Sequence, residues 1–281
     1  MTCKEIQVNR MNILRAIPFY LFLFFTQASC QGAQNQDTVS MHDTFKIASR
    51  AVGETRTINV WTPEEYTKNT DSLPVLYMLD GGTKEDFPHI ANTLSELIKA
   101  RKVQPILLVG IENTQRRRDL TGHTQTAKDK EIAPVVGGSA KFRTFVNDEL
   151  FAEISKRYRT TAEKGIMGES LAGLFVVETF LLHPEMFDFY IAFDPSLWWN
   201  DKHLVKTAKE HLAKFPTTEK RFWFAGSDAE EIHIGTRMLS EKLKSENIKN
   251  LKWNYSDEPG EQHNTIFRAT KAKALEWSLN K

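Results

Sequence analysis

Beyond residue 42 the chain settles into a rhythm of short apolar runs and longer amphipathic ones. Residues 44–49 and 56–62 flank the turn Val52-Gly53-Glu54 and read as two strands. In Thr57-Ile58-Asn59-Val60-Trp61 the apolar side chains alternate, as a half-buried antiparallel strand requires. Runs 75–79 and 106–111 are apolar throughout, which predicts central strands covered on both faces. Further strands are predicted at 165–167, 189–193, 221–225 and 251–255. Helices are predicted over 87–99, 141–158, 174–182 and 266–279, and near 203–215 and 236–243. In the second of these, Phe142, Phe145, Val146, Leu150 and Ile154 fall on one face of a 3.6-residue period. Strand–helix alternation of this kind builds a mostly parallel central sheet flanked by helices, an α/β fold. Function in such sheets collects in the loops beyond the carboxyl ends of the strands.

The first thirty residues follow another pattern. Arg15 precedes an apolar run, 16–25, too short to span a bilayer stably, and Thr26-Gln27-Ala28-Ser29-Cys30 is a small-residue exit. This predicts an export signal over 1–30, a polar linker over 31–42 and one globular domain over 43–281. Ala-Ser-Cys also resembles the end of a bacterial lipoprotein signal, although Gln27 stands where leucine is usual. Cys30 is therefore a candidate lipid anchor. The expected location is periplasmic or secreted, or tethered at a membrane through Cys30.

Composition narrows the chemistry. Lys plus Arg (37) balances Asp plus Glu (36), so nothing calls for a nucleic-acid partner. The two cysteines, Cys3 and Cys30, both precede the domain. The domain therefore has no disulfide, no thiolate metal site and no cysteine nucleophile.

Gly168-Glu169-Ser170-Leu171-Ala172-Gly173 carries the strongest local signal. A short apolar strand enters it and an apolar helix leaves it. That is the layout of a nucleophile elbow, in which a serine sits at the tip of a tight turn with small neighbours. The helix N-terminus then points free N–H groups at developing negative charge. A serine nucleophile needs a base, and the base needs a third group to hold its tautomer. With this elbow the chain order is serine, acid, histidine. His183, His203, His211 and His233 read as cap, helix-surface or loop residues. His263 follows the last strand and precedes the last helix, where the base belongs. Gly226-Ser227-Asp228-Ala229-Glu230-Glu231 follows the strand at 221–225 and offers three carboxylates. Asp228 is favoured because it leaves the strand first. Glu230, Glu231 and Asp194 remain alternatives.

An oxyanion hole would use the backbone N–H of Leu171 and one from the Gly81-Gly82 turn, taken here as that of Gly82. Arg116-Arg117-Arg118-Asp119 overhangs the same rim and could grip an anionic oxygen. Trp198 and Trp199 are adjacent and cannot easily share one core, so one of them, taken as Trp198, is a candidate pocket wall.

With these residues placed, the chain resembles the putative-esterase family of α/β-hydrolases, whose branches include siderophore esterases, esterase D and mycolyltransferases. The resemblance runs from about residue 44 to the end and is closest to the bacterial siderophore-esterase-like branch. It rests on Val75-Leu76-Tyr77-Met78-Leu79-Asp80-Gly81, Val109-Gly110-Ile111, Arg116-Arg117-Arg118-Asp119-Leu120-Thr121, the elbow, Pro195-Ser196-Leu197-Trp198-Trp199 and Glu261-Gln262-His263. It implies an α/β-hydrolase fold and cleavage of a small-molecule carboxylic ester through an acyl-enzyme, with no metal or organic cofactor. It implies Ser170 as nucleophile, His263 as base, Asp228 at the acid position and Arg116 facing substrate. Ala172 in place of the elbow's last glycine and Gly122 in place of a proline depart from the family pattern. Acyl transfer to an alcohol would use the same residues, and a non-catalytic binding module would keep the same fold.

Overall fold

The computed structural model describes residues 37–38 and 41–280. The expected export signal, the Cys30 anchor and most of the 31–42 linker lie outside the described residues. Among the described residues, no helix is long and apolar enough to cross a membrane.

Eight strands form one sheet: β1 (Asp43–Ala48), β2 (Thr55–Trp61), β3 (Leu73–Met78), β4 (Leu107–Ile111), β5 (Thr160–Glu169), β6 (Phe189–Phe193), β7 (Lys220–Gly226) and β8 (Leu251–Asp257). Their order across the sheet is β1-β2-β4-β3-β5-β6-β7-β8. β1, β2 and β4 pair antiparallel, and every pairing from β4 to β8 is parallel. The helices are α1 (Glu64–Lys68), α2 (Phe87–Lys99), α3 (Arg116–Asp119), α4 (Ala127–Ile132), α5 (Ser139–Thr144), α6 (Phe151–Arg157), α7 (Leu171–Leu182), α8 (Trp199–Leu212), α9 (Glu230–Glu246) and α10 (Ile266–Leu279). The α/β architecture expected from the alternation is therefore present.

The continuous apolar strands have a direct physical reason. Successive side chains point to opposite faces, and both faces are covered. Leu76, Met78, Leu108, Met167, Ile191 and Phe193 belong to one core, shared with Phe87 and Ile90 of α2 and Phe267 of α10. Tyr77, Val109, Ile166, Tyr190 and Ala192 belong to the other, shared with Phe142, Phe145, Phe175 and Phe180. α7 is buried along nearly its whole length, which is why it is apolar all round instead of amphipathic.

Differences from the expected elements arise where polar residues extend a regular element past the core. β5 begins at Thr160, because its first half is a polar, partly exposed extension. α9 runs several residues further than expected at both ends for the same reason. The helix expected over 141–158 contains a π-helical turn, Phe145–Leu150, between α5 and α6. α8 starts with Asn200, Asp201 and Lys202 at φ 50°, 54° and 59°, a left-handed turn that no apolar periodicity announces.

The elbow accommodates its departure from the usual pattern through Gly168. A Cβ placed there would stand 2.7 Å from the Ala172 Cβ and 2.8 Å from its carbonyl carbon. Clearance between strand and helix is thus provided by the glycine on the strand side. Gly168→Ala is expected to lower stability by about 1–3 kcal/mol, the usual cost of overpacking. In urea unfolding this appears as a lower midpoint at unchanged slope; an unchanged midpoint would contradict it.

Candidate active site

Three strand ends build the site. β3, β5 and β6 are neighbours, and each is followed at its carboxyl end by a non-glycine residue in the left-handed region or hands over to one nearby: Asp80 (φ 52°), Ser170 (φ 59°) and Asp194 (φ 46°). Such conformations cost of order 1–3 kcal/mol each and persist where surrounding bonds over-determine them. For Ser170 those bonds are visible. Its N–H donates to the Phe193 carbonyl at 3.0 Å, and its carbonyl accepts from the N–H of Ser196 at 3.0 Å and of Leu174 at 2.9 Å. The serine side chain is thereby raised off the sheet at the head of α7.

His263 Nε2 lies 3.1 Å from Ser170 Oγ. On the other side of the ring, Nδ1 lies 2.6 Å from Asp194 Oδ2. Asp194 is fully buried, and its remaining acceptor capacity is answered by Ser227, whose N–H reaches Oδ1 at 2.6 Å and whose hydroxyl reaches Oδ2 at 2.8 Å. A carboxylate holding Nδ1–H leaves the Nε2 lone pair free for the serine proton.

The expectation for Asp228 is corrected by this geometry. β7 ends at Gly226, Ser227 turns inward to Asp194, and Asp228 turns out to solvent. Its contribution is a backbone one: its N–H donates to the Glu261 carbonyl at 3.0 Å, while the Glu258 N–H donates to the Gly226 carbonyl at 2.9 Å. These two bonds latch the His263 loop to the end of β7. Glu230 and Glu231 open α9, and Glu231 pairs with Lys202 at 3.0 Å. Of the four carboxylates weighed from the sequence, Asp194 is the one beside His263.

Other expected residues fall as follows. Leu171 opens α7, where the first N–H groups of a helix have no intrahelical carbonyl to bond. The Gly82 N–H is not open as expected, since it donates to Glu85 Oε2 at 2.6 Å while the Glu85 N–H returns to the Gly82 carbonyl at 3.0 Å. This reciprocal closure resembles a helix capping box ahead of α2. Arg116 closes its fork on Asp80, with Nε to Oδ1 at 2.6 Å and Nη2 to Oδ2 at 2.7 Å. Trp199 is buried and donates to the Gly122 carbonyl at 3.3 Å. Trp198 is half-buried and lines a pocket of about 360 Å³ together with Asp129, Ile132, Lys202 and Glu231. Neither this pocket nor a larger hollow of about 690 Å³, walled by Trp61, Tyr66 and Tyr158, is lined by Ser170, His263 or Asp194.

The sequence reading missed Ser196 and Ser227. Ser196 Oγ lies 3.4 Å from Ser170 Oγ, and Ser227 completes the shell of Asp194. Hydroxyls at strand ends are common, and nothing local distinguishes these two. Among the described residues, no group of three His, Cys, Asp or Glu side chains could hold a metal ion.

Electrostatics match the geometry. The Asp194 hydrogen bond raises the His263 pKa above the ordinary value, burial works against it, and the nearby Glu169 charge adds to the rise. Glu169 itself is pushed up to about 7 by burial, with Asp86 and Asp80 adding repulsion and His263 opposing. The raised His263 value means that the protonated His263–Asp194 pair stabilises the fold fully below the unfolded pKa of about 6.5. That contribution is lost as pH rises through the folded value. An NMR titration of His263 is expected to show a midpoint above about 6.5 that falls in Asp194→Asn. An unshifted midpoint would mean that the pair does not form in solution.

Comparison with known proteins agrees with this architecture. The sequence model of the family described as "Putative esterase" matches residues 49–267. The chain is similar to the ferri-bacillibactin esterase BesA of Bacillus subtilis, with 26% identity over 277 residues covering 89% of this chain and 93% of that protein. The fold is similar to that of an IroE-like serine hydrolase from Shewanella oneidensis, with a TM-score of 0.78 at 24% identity, covering 84% of this chain and 79% of the other. It is also similar to the siderophore hydrolase EstB from Aspergillus nidulans, with a TM-score of 0.73 at 18% identity, covering 86% and 96%.

Proposed function

This chain belongs to the putative-esterase family and is an esterase, and we propose that it hydrolyses small-molecule carboxylic esters through an acyl-enzyme on Ser170. The observation that carries the reading is the unbroken line from Ser170 Oγ through His263 to the buried Asp194.

Neutral His263 takes the Ser170 proton on Nε2 as Oγ attacks the ester carbonyl. The Leu171 N–H, at the head of α7, faces the oxygen that becomes negative. Collapse of the tetrahedral intermediate passes the proton from His263 to the departing alkoxide and leaves Ser170 acylated. Water then enters, His263 takes its proton, and the second collapse returns the proton to Ser170 and releases the acid. Asp194 keeps Nδ1 protonated and stabilises the imidazolium in both halves. Trp198 is half-buried on the loop that carries Asp194, which supports it as a wall for part of the substrate. The names of the relatives support siderophore esters as the first natural substrates to try. The apolar run at 16–25 and its small-residue exit support export, with Cys30 as the tether; the mass of the mature N-terminus checks both.

The test is fluorophosphonate labelling of the purified chain, mapped by mass spectrometry, alongside turnover of p-nitrophenyl esters. Label is expected on Ser170, and Ser170→Ala is expected to lose about 10⁶-fold in kcat. Asp194→Asn is expected to cost about 10⁴-fold. Asp228→Asn, at an exposed position, should stay within about twofold of the parent. Full activity of Asp194→Asn, or label on another residue, would overturn the assignment. The rate is also expected to rise with pH as His263 loses its proton, with a midpoint above about 6.5.

A further inference from the structure

The three arginines on the rim all have internal partners. Arg118 pairs with Glu54 and Asp119, and Arg117 donates to the Ile132 carbonyl at 2.5 Å. Arg116 presents the Nε edge of its guanidinium to Asp80, making two parallel bonds of 2.6 and 2.7 Å. Its Nη2 also reaches the Glu169 carbonyl at 3.3 Å, on the residue immediately before Ser170. Asp80 is the left-handed residue that opens the turn after β3, and its side chain is 9% exposed. Asn113 Nδ2 donates to Asp80 Oδ1 at 2.6 Å and to Glu85 Oε1 at 2.8 Å, and Glu85 holds the Gly82 N–H.

We propose that Arg116 is a positioning residue, whose fork fastens the turn after β3 to the nucleophile elbow, and not a receptor for an anionic group of the substrate. Two features of the geometry lead there. One of the two bidentate edges of the guanidinium, the Nε–Nη2 side, is already filled by a carboxylate, and Nη2 of the other edge reaches the Glu169 carbonyl. Drawing the guanidinium away would leave Asp80 largely buried without its counter-charge, which is strongly unfavourable. The same guanidinium touches the backbone of the elbow, so its loss loosens the strand end that aims Ser170. Loss of aim lowers rate by misplacing the reacting atoms, whatever charge the substrate carries. The surroundings agree in sign: Asp86, Asp80 and Asp194 all act on the charge of Glu169. With Arg116 and Arg118 each paired to carboxylates, their charge does not favour an anionic ester over a neutral one.

This inference rests on the ester-hydrolase reading, and turnover of p-nitrophenyl butyrate by the parent chain tests that reading separately. The experiment compares this neutral ester with its carboxylate-bearing analogue, p-nitrophenyl hemisuccinate. Arg116→Gln, Arg116→Lys and Asp80→Asn are each expected to lower kcat about 10–100-fold on both esters, with KM little changed. Lysine should not rescue, because one ammonium cannot span both Asp80 oxygens and the Glu169 carbonyl. The double variant Arg116→Gln/Asp80→Asn should lose no more than the worse single one, the signature of a shared interaction. An unchanged kcat on butyrate, with KM raised for hemisuccinate alone, would overturn the proposal. Should the variants fail to fold, the parent chain decides. A preference for hemisuccinate at low salt that fades at high salt would mark an anion receptor and overturn the proposal. Equal kcat/KM for both esters at both salt levels would support it.

Discussion

A carboxylate with no exposed surface must be answered by donors, and Asp194 draws them from two directions. Its own position is set by β6 and by its N–H on the Ala225 carbonyl at 3.1 Å. Ser227 brings in the end of β7 with two bonds, and His263 brings in the loop after β8 with one. Because an unpaired buried charge is far more costly than a paired one is stabilising, these loops are held together by the penalty of separating them. Ser170 then meets His263 because the elbow, too, is bonded to the end of β6 through Phe193 and Ser196. The site is therefore the meeting of three loops on a single buried charge, standing on parallel strands whose register is fixed by cores on both faces.

The charged groups around this centre are arranged in closed pairs. Arg116 with Asp80, Arg118 with Glu54 and Asp119, and Arg56 with Asp119 at 2.6 Å neutralise one another next to the sheet. Glu169 stands apart: burial and neighbouring carboxylates hold its pKa near 7. His263 beside Ser170 feels the charges of Asp194 and Glu169, which raise its pKa, and of Arg116, which lowers it.

Much of the fold was legible because it is written in periodicity. The strand 189–193 and the helices 87–99 and 266–279 were read with their observed ends, since each is bounded by a change from apolar to polar or by a turn residue. β5 and α9 were read short because their polar ends carry no apolar signal, and the left-handed entry to α8 has none at all. The elbow was readable because its chemistry is local: glycine, serine and small residues in consecutive positions force the turn.

The sequence by itself determined the α/β order, the serine at its elbow and the histidine that follows the last strand, because each depends on neighbours in the chain or on element order. Which carboxylate lies beside His263 was decided only in three dimensions. Asp194 and Asp228 both leave strand ends on the same side of the sheet, and Asp228 is much nearer to His263 in the chain. The inward turn of Ser227 sends Asp228 to solvent, while the left-handed backbone at Asp194 sends its carboxylate inward. The pairing of Arg116 with Asp80, 36 residues apart, has the same origin. It follows from β3 and β4 lying side by side, a neighbourhood created by the sheet and not by the chain.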